Sequence, residues 1–343
     1  MDTFINQFNI EEFPTLSVER VEDLKAHIKD TKYKTLRVLH NNIRSAGKNL
    51  DEFKVMLKQI DVNIDVLVLS ETWDIKDIGL LHIEGYKIYY NSSKINQNDG
   101  VIVYINESIQ HEVEIINAVQ IKALVTSILH LGKKVQIISV YRPPSMKIDD
   151  FTTALDTLLD NCQQRGKFDV VLLVGDVNID ILARSIDALN YLNILSENNF
   201  FSLINSYTRV TKHSKTCIDH IFVKTGMSRD LFSSAILQTT ITDHYSIYVE
   251  FTCYGNEDHD IVTGKLKKYI DYGKLQSVLV NRGWEHLNSE MDVDRQWQVF
   301  VETLQIATEN STKIVKITNK IKKRTPWITN GLIKSIQEKK PAI

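Results

Sequence analysis

The segment Val170-Val171-Leu172-Leu173-Val174-Gly175-Asp176 decides the fold class, because its apolar run ends at a carboxylate. A short, continuous apolar run predicts a strand that is buried on both faces, which is typical of α/β layers. The segment Val66-Leu67-Val68-Leu69-Ser70-Glu71 has the same form, and it too ends at an acid. We therefore expect carboxylates at the points where two core strands leave the interior.

Helix and strand patterns alternate around these two segments. Apolar residues recur at three- and four-residue intervals over residues 53–60 and 151–162, which predicts amphipathic helices. Further strands are predicted at Leu36 to Asn42, Val101 to Ile105, Ala123 to Leu131, Val135 to Tyr141, Ile218 to Val223 and Ile247 to Phe251. The alternation predicts an α/β fold with a large core.

The composition excludes several classes of protein. The chain has 343 residues, of which 43% are apolar and 24% charged, and its net charge is −2. No apolar run approaches the length of a membrane span, and the first thirty residues contain no apolar secretory signal. Three cysteines without a Cys-x-x-Cys pair argue against a disulfide scaffold or a zinc cluster. We expect an intracellular protein with no membrane partner.

Changes in composition and residue pattern along the sequence predict three regions. Residues 1–35 form a polar, partly helical leader, and residues 36–252 carry the alternation of strands and helices. Residues 253–343 begin with a polar boundary, continue with helical patterns at 271–281 and 294–309, and end in a basic segment. We expect a helical C-terminal extension, whose basic end is either a solvated linker, the simpler interpretation, or an import signal.

Side chains that can perform chemistry collect at the predicted strand ends. Besides Glu71 and Asp176, strands end at Asn42 and at Tyr141-Arg142, and Asn178 shares a face with Asp176 in an extended segment. Ligands of α/β layers bind where strand ends meet, so these residues predict a binding site. The alternative is that each acid only caps the turn that follows it.

Two Asp-His neighbours follow, in Ile218-Asp219-His220-Ile221 and Thr242-Asp243-His244. A carboxylate beside an imidazole fixes its tautomer and stabilises its charged form, although many such dipeptides are chance surface neighbours. Acids that share a pocket repel by roughly 4 kcal/mol per close pair at an effective dielectric of about 20. A hard divalent cation would offset that repulsion, and oxygen ligands favour Mg²⁺ or Mn²⁺. This chemistry suits a phosphodiester substrate.

Taken in order, the motifs resemble those of the exonuclease–endonuclease–phosphatase superfamily. The resemblance is carried by Asn42-Ile43-Arg44-Ser45, Ser70-Glu71-Thr72-Trp73, Val140-Tyr141-Arg142-Pro143-Pro144, Gly175-Asp176-Val177-Asn178, Ile218-Asp219-His220-Ile221 and Thr242-Asp243-His244. The first three forms are similar to those of apurinic-type endonuclease domains in LINE-type (non-long-terminal-repeat) retrotransposons. The tail Arg324-Thr325-Pro326-Trp327-Ile328-Thr329 is similar to the linker before a reverse transcriptase. Many relatives have serine where this chain has Thr242, which keeps the hydroxyl.

The resemblance implies a fold and a metal site. The implied fold is a four-layer α/β sandwich, in which two mixed sheets pack face to face with helices outside. Glu71, helped by Asn42, would hold Mg²⁺ or Mn²⁺, and Asp243 would lie near the metal or the leaving group. Many enzymes of phosphate chemistry combine such a cation with protein donors.

The resemblance also implies the acid–base residues. Asp176 would position or deprotonate the attacking water, and Asn178 would orient that water. His244, held by Asp219, would donate to the scissile phosphate, which Tyr141 would also contact. General acid–base catalysis requires groups of this kind within hydrogen-bond reach of the reacting atoms.

Contacts to DNA are expected from residues around this site. Those residues are Arg142, Thr208, Arg209, Lys212 and Lys215. The segment from Arg209 to Thr216 connects two predicted strands and is expected to form a hairpin beside the scissile strand. Its composition alone is also that of an ordinary solvated turn, and only the implied position beside the site favours the DNA contact.

The expected product is a nick in double-stranded DNA with a 3′-hydroxyl that primes reverse transcription. The resemblance implies a reverse-transcriptase domain as partner in a longer polyprotein, of which this chain would be the 5′ part or a truncated copy, acting in the nucleus. Two alternatives remain open at this point. One is a phosphatase or sphingomyelinase of the same superfamily, and the other is a catalytically inactive nucleic-acid-binding domain.

Overall fold

The computed structural model describes residues 13–28, 35–73, 75, 77–91, 98–118, 120–183, 185–253, 265–270, 272–281, 284 and 292–317. The chain divides into two compact units, Met1–Glu257 and Asp258–Ile343. In the described ranges, no helix combines the length and the apolar character that crossing a membrane requires. The segment Arg324–Thr329 and most of the basic tail lie outside the described residues.

The first unit is built around two large sheets. Its strands, in chain order, are β1 (Thr15–Val18), β2 (Thr35–Asn42), β3 (Val66–Ser70), β4 (Tyr86–Asn91), β5 (Val101–Asn106), β6 (His111–Asn117), β7 (Lys122–His130), β8 (Lys133–Tyr141), β9 (Val170–Asp176), β10 (Phe201–Ser202), β11 (Arg209–Val210), β12 (Lys215–Thr216), β13 (Asp219–Thr225), β14 (Phe232–Leu237) and β15 (Ser246–Thr252). One sheet has the order β1-β14-β15-β2-β3-β5-β4, and the other has the order β10-β13-β9-β8-β7-β6. Both are mixed, because β1 with β14, β2 with β3 and β8 with β9 run parallel, whereas the other neighbours run antiparallel.

Helices cover the outer faces of both sheets. They are α1 (Val21–His27), α2 (Ala46–Ile60), α3 (Ile148–Gln164) and α4 (Ile186–Glu197). Helix α2 buries Phe53 and Met56 against the seven-stranded sheet, and α3 buries Phe151 and Leu155 in the core of the six-stranded sheet. A continuous apolar cluster joins the inner faces of the two sheets. This arrangement is a four-layer α/β sandwich, which confirms the predicted fold class.

The strand sequences explain why polar side chains reach one end of this sandwich. Side chains alternate along a strand, so Leu36, Val38, His40 and Asn42 of β2 share one face. Leu36 and Val38 belong to the apolar cluster between the sheets. The last two positions of the same inward face are polar and fully buried. The interior therefore changes from apolar to polar at the carboxyl end of β2.

The structure differs from the predicted leader over residues 15–18. Strand β1 is an edge strand that runs parallel to β14, with Val18 opposite Leu237. Phe13 is buried in the cluster between the sheets, and Leu24 of α1 is fully buried. The physical reason is that β14 would otherwise present a row of unpaired backbone groups. Residues 1–12 and 29–34 of the predicted leader lie outside the described residues.

The second unit contains two helices and a strand pair. Helices α5 (Tyr272–Asn281) and α6 (Val293–Asn310) confirm the helical patterns predicted there. Strands β16 (Lys265–Ile270) and β17 (Thr312–Ile317) pair antiparallel. The strand pair was not predicted, because the two segments are separated by more than forty residues and each alternates only weakly.

Candidate active site

Two neighbouring strands bring two buried carboxylates together. Asp219 at the start of β13 lies directly opposite Asp176 at the end of β9, and Tyr141 of β8 flanks Asp176 on its other side. Both carboxylates are fully buried. From the facing sheet, Asn42 Nδ2 donates to Asp176 Oδ2 at 2.7 Å. This bond between the sheets fixes Asp176 at the place where the two sheets meet.

Asp219 pairs with a histidine that is distant in sequence. His244 Nδ1 lies 2.9 Å from Asp219 Oδ2 and 3.9 Å from Asp176 Oδ2. Thr208 Oγ1 donates to Asp219 Oδ2 at 2.8 Å and accepts from the Asp219 backbone amide at 3.0 Å. His220, the sequence neighbour of Asp219, instead stacks on a tyrosine of α4. The pair that the resemblance implied is therefore formed, and Asp219 is held from two directions.

Charge is distributed unevenly over this cluster. Burial, reinforced by the Asp219 carboxylate, raises the pKa of Asp176 to about 7. Burial also acts to raise the pKa of Asp219, but attraction and hydrogen bonding to His244 lower it below its usual range. Burial opposes the charged form of His244, yet the Asp219 carboxylate raises its pKa to about 9. At neutral pH, Asp219 is ionised, His244 carries a proton, and Asp176 can accept one.

Glu71 completes a group of side chains that could hold a cation. Glu71, Asp176 and His244 each offer one ligand atom, and these atoms lie within 4.8 Å of one another. Glu71 has a left-handed backbone with φ of 51°, and its carbonyl oxygen accepts from the Ser45 amide at 2.8 Å. Burial and the neighbouring carboxylates together raise the pKa of Asp176. A divalent cation would offset the negative charge that these carboxylates concentrate here. The two carboxylates therefore fit such an ion, with Asn42 beside them, whereas His244 carries a proton and faces them as a donor.

Asp243, which is expected near the metal or the leaving group, is paired with two arginines in the structure. Its carboxylate accepts from Arg209 Nε at 2.8 Å and lies 2.7 Å from Arg44 Nη1. Arg44 Nε is also 3.9 Å from Glu71 Oε2. Burial would raise the pKa of Asp243, but the hydrogen bond from Arg209 and nearby positive charges lower it. Asp243 therefore holds two partly exposed guanidinium groups at the rim of the site.

Two of the predicted DNA contacts, Arg142 and Thr208, are buried in the structure. Arg142 is 3% exposed and donates to the carbonyl oxygens of Val177 and Asn178 at 2.6 and 2.7 Å. Thr208 is fully buried, and its hydroxyl is engaged with Asp219. Backbone acceptors and a carboxylate satisfy these donors inside the protein. Both side chains therefore bond to the loops and strands that carry the site.

Asn178 and Tyr141 both lie beside Asp176. The Asn178 backbone amide donates to Asp176 Oδ1 at 2.9 Å, and Asn178 Nδ2 donates to the Arg142 carbonyl at 2.9 Å. Burial and the negative charges of Glu71 and Asp176 raise the pKa of Tyr141, so its hydroxyl stays protonated. The main contact of Asn178 with Asp176 is made by its backbone, whereas the prediction concerned its side chain.

His40 lies against the Asp219–His244 pair but belongs to none of the sequence motifs. This residue is fully buried on β2, and its Nε2 lies 3.1 Å from Ser70 Oγ. Its Nδ1 lies 3.9 Å from Asp219 Oδ1. The available signal was the strand period, because His40 precedes Asn42 by two residues and must share its face. Arg44 belongs to the motif Asn42-Ile43-Arg44-Ser45, which by itself predicts no role for it.

Strands β11 and β12 form the predicted hairpin beside the site. They pair antiparallel, with Val210 opposite Lys215. Arg209 at its base forms a β-bridge with His244, which attaches the hairpin to the loop that carries the site histidine. Lys212 and Lys215 are exposed. The hairpin therefore presents cationic side chains next to the buried cluster.

The four-layer sandwich and its paired carboxylates define a fold of the nuclease and phosphoesterase class. The sequence profile of the Endonuclease/Exonuclease/phosphatase family matches residues 7–244, and the chain belongs to this family. No curated protein sequence matched the chain.

Similar solved structures share the fold. A humanized D. rerio TDP2 is 16% identical and covers 64% of this chain and 99% of its own, with a TM-score of 0.51. The endonuclease domain of TRAS1, a telomere-specific non-LTR retrotransposon, is 12% identical with the same coverages and a TM-score of 0.50. An AP endonuclease from Archaeoglobus fulgidus is 17% identical, covers 63% of this chain and 99% of its own, and has a TM-score of 0.51. At these identities the likeness concerns the fold.

Proposed function

We propose that this chain is a metal-dependent DNA endonuclease that nicks one strand and leaves a 3′-hydroxyl. The observation that carries the proposal is the meeting of Glu71, Asp176 and the Asp219–His244 pair at one end of the sandwich. A proton acceptor, a proton donor and an acidic group suited to a cation are thereby assembled in one place. Hydrolysis of a phosphodiester needs catalytic groups of these three kinds.

Asp176 is proposed to take the proton of the attacking water. Its pKa of about 7 lies near the operating pH, where a general base is most effective. The bonds from Asn42 Nδ2 and the Asn178 amide hold both of its oxygens in fixed positions. General-base catalysis accelerates a reaction by about 10²–10⁴-fold. Positioning of the substrate and stabilisation of charge therefore have to supply most of the remaining acceleration.

His244 is proposed to donate a hydrogen bond to the scissile phosphate. Its Nδ1 is bound to Asp219, so Nε2 is the nitrogen that remains for a substrate. The raised pKa of about 9 keeps the imidazole charged at neutral pH, and a charged donor interacts more strongly with a phosphate oxygen. Tyr141 is proposed as a second, neutral donor from the neighbouring strand.

Mg²⁺ or Mn²⁺ is proposed as the cofactor. Glu71 would hold the ion with Asn42 beside it on the neighbouring strand, and Asp176 would remain free to act as the base. The chemistry that such an ion supplies when bound is stabilisation of the negative charge that develops on the phosphate. Carboxylate and amide oxygens select hard cations, so Zn²⁺ is expected to be a poor substitute.

DNA is proposed as the substrate because cationic side chains surround the site. Arg44 and Arg209 lie at its rim on Asp243, and Lys212 and Lys215 are exposed on the adjacent hairpin. A row of such groups suits a polyanionic backbone better than a small phosphoester. The structural similarity to the TRAS1 endonuclease domain and to the archaeal AP endonuclease supports this choice. A nuclear role in priming reverse transcription, with a reverse-transcriptase domain as partner, is part of the same proposal.

A nicking assay on supercoiled plasmid with Mg²⁺ tests this function, with Glu71→Ala as the matched inactive control. We expect relaxed plasmid whose nicks a DNA polymerase extends, no reaction in excess EDTA, and no reaction by the control variant. Release of phosphate from small phosphomonoesters without nicking would instead identify a phosphatase. Plasmid binding without cleavage under any divalent cation would identify an inactive binding domain.

A further inference from the structure

A second imidazole lies behind the Asp219–His244 pair. His40 comes from the seven-stranded sheet and Asp219 from the six-stranded sheet, and both are fully buried. His40 Nδ1 and Asp219 Oδ1 are 3.9 Å apart. Neither atom has a hydrogen-bond partner within the part of the chain that the structure describes. Such atoms are rare in protein interiors, and two that face each other require an explanation.

The distance between these atoms restricts how they can be satisfied. A direct N–H···O bond needs about 2.7–3.2 Å. A water bridge made of two bonds of about 2.8 Å spans roughly 4.5 Å, which is longer than the observed separation. At 3.9 Å the angle at a bridging water would be compressed to about 90°, whereas a direct bond needs only a small closure, so the direct bond is the simpler arrangement.

The partner on the other side of the ring determines the tautomer. Ser70 Oγ lies 3.1 Å from His40 Nε2, and a hydroxyl can donate to a neutral ring nitrogen. If Nδ1 lacked the proton, its lone pair would face the lone pairs of the ionised Asp219 at close range. The favoured tautomer therefore has Ser70 donating to Nε2 and Nδ1–H directed at Asp219.

We propose that His40 is a positioning residue that binds the second carboxylate oxygen of Asp219 and thereby fixes the Asp219–His244 pair. Asp219 is then held by His40 on Oδ1 and by Thr208 and His244 on Oδ2. Without His40 the carboxylate can rotate about its terminal bond, and His244 loses its fixed orientation. This role rests on the proposed function of His244, and it also joins the two sheets at the site.

Two conservative variants separate this role from simple packing. In His40→Asn the amide nitrogen lies near the position of Nδ1 and can donate to Asp219. In His40→Gln it lies near the position of Nε2, where it faces Ser70. His220→Phe is the matched control, because it removes a buried imidazole that packs on the helix layer. The readouts are kcat and KM for nicking and the NMR signals of the His244 imidazole, namely its Nδ1 proton and ring ¹⁵N shifts.

We expect His40→Gln to lower kcat about tenfold to a hundredfold with little change in KM, because a misplaced catalytic group costs on that order. The His244 Nδ1 proton signal should broaden or vanish in this variant. His40→Asn should retain both properties, and His220→Phe should leave the His244 signal unchanged. The proposal is overturned if the Gln variant keeps the wild-type His244 signal, if Asn rescues no better than Gln, or if His220→Phe produces the same loss. The NMR comparison requires no substrate, so it decides the role of His40 even if the wild-type protein fails to nick DNA.

Discussion

Asp176 and Asp65 occupy opposite ends of the same sandwich, and burial raises the pKa of both. Asp176 ends β9, whereas Asp65 immediately precedes β3 at the other end. Burial raises the pKa of Asp65 to about 6 and, with the Asp219 charge, that of Asp176 to about 7. Asp65 Oδ2 accepts from the Arg37 amide at 2.8 Å. Similar shifts therefore arise in two different surroundings.

The difference lies in what surrounds each carboxylate. The backbone of Asp65 is tied to its neighbours, since its amide donates to the Arg37 carbonyl and its carbonyl accepts from Asn106. Asp176 instead meets polar side chains from separate parts of the fold, including Asn42 of β2 and His244 of the loop before β15. A raised pKa alone reports burial, whereas convergence of titratable side chains from several strands indicates chemistry. The predictions below test this distinction.

The largest effect is expected for Asp176→Asn. This variant should lower kcat for nicking by about 10³-fold or more, because it removes the proposed proton acceptor. Its free energy of unfolding should be unchanged or higher, since a buried carboxylate among like charges is lost. Plasmid nicking and chemical denaturation measure the two quantities. Asp65→Asn is the matched variant at the other end and should retain nicking. Equal losses of activity in Asp176→Asn and Asp65→Asn would show that the site at the Asp176 end is not specifically responsible for nicking.

The next largest effect is expected for Gly175→Ala, and the quantity affected is the stability of the fold. Gly175 has φ of +151°, and a Cβ there would collide with the carbonyl oxygen of Val140 on the neighbouring strand. Overpacking against backbone that cannot move aside should reduce the free energy of unfolding by about 3 kcal/mol or more. Gly226→Ala, where an added Cβ meets nothing within 4 Å, is the control and should change stability little. Equal denaturation midpoints for the two variants would contradict the close approach at Gly175.

Asp65→Asn should alter how stability depends on pH. The folded pKa of Asp65 is about 6, against 3.8 as the ordinary value, so the folded state binds more protons between these pH values. The free energy of unfolding of the wild type should therefore fall as pH rises from about 4 to about 6, by at most about 3 kcal/mol. Asn keeps an acceptor for the Arg37 amide, so the variant should lose this dependence and be the more stable protein above pH 6. Parallel stability curves for the two proteins would show that Asp65 does not titrate in this window.

The smallest effect is expected at the hairpin. Replacing Lys212 and Lys215 by Ala should weaken DNA binding about uniformly across sequences and reduce the slope of log affinity against log salt by about two units. Binding measured over a salt series tests this. Replacement of the segment 211–215 should instead change which sites are nicked, with the rate on a preferred site less affected. Identical nick maps on one plasmid would show that the hairpin does not select the target.

The sequence predicts much of the site because strand ends are visible in it. The apolar runs before Glu71 and Asp176 place both acids where the chain leaves the core. The inward alternation in β2 would also have indicated His40 beside Asn42. These features follow from local periodicity, which a single sequence displays directly.

The rest depends on which groups meet in three dimensions. Arg142 could have reached solvent, but the path of the chain offers it backbone acceptors, so it is buried. Asp243 is paired with Arg44 and Arg209, which come from segments far apart in sequence. Hydrogen-bond satisfaction in the interior is a property of the assembled fold, so neither outcome is encoded in a local motif.

Strand β1 has a practical consequence for anyone who shortens this protein. A chain that began at Leu36 would lack the parallel partner of β14 and the buried side chain of Phe13. The exposed backbone groups of β14 could then pair with a strand of another chain. The shortened protein would therefore tend to form dimers or insoluble aggregates. Tags and fusion partners should therefore be attached before Phe13, so that β1 stays paired with β14 and the protein stays soluble.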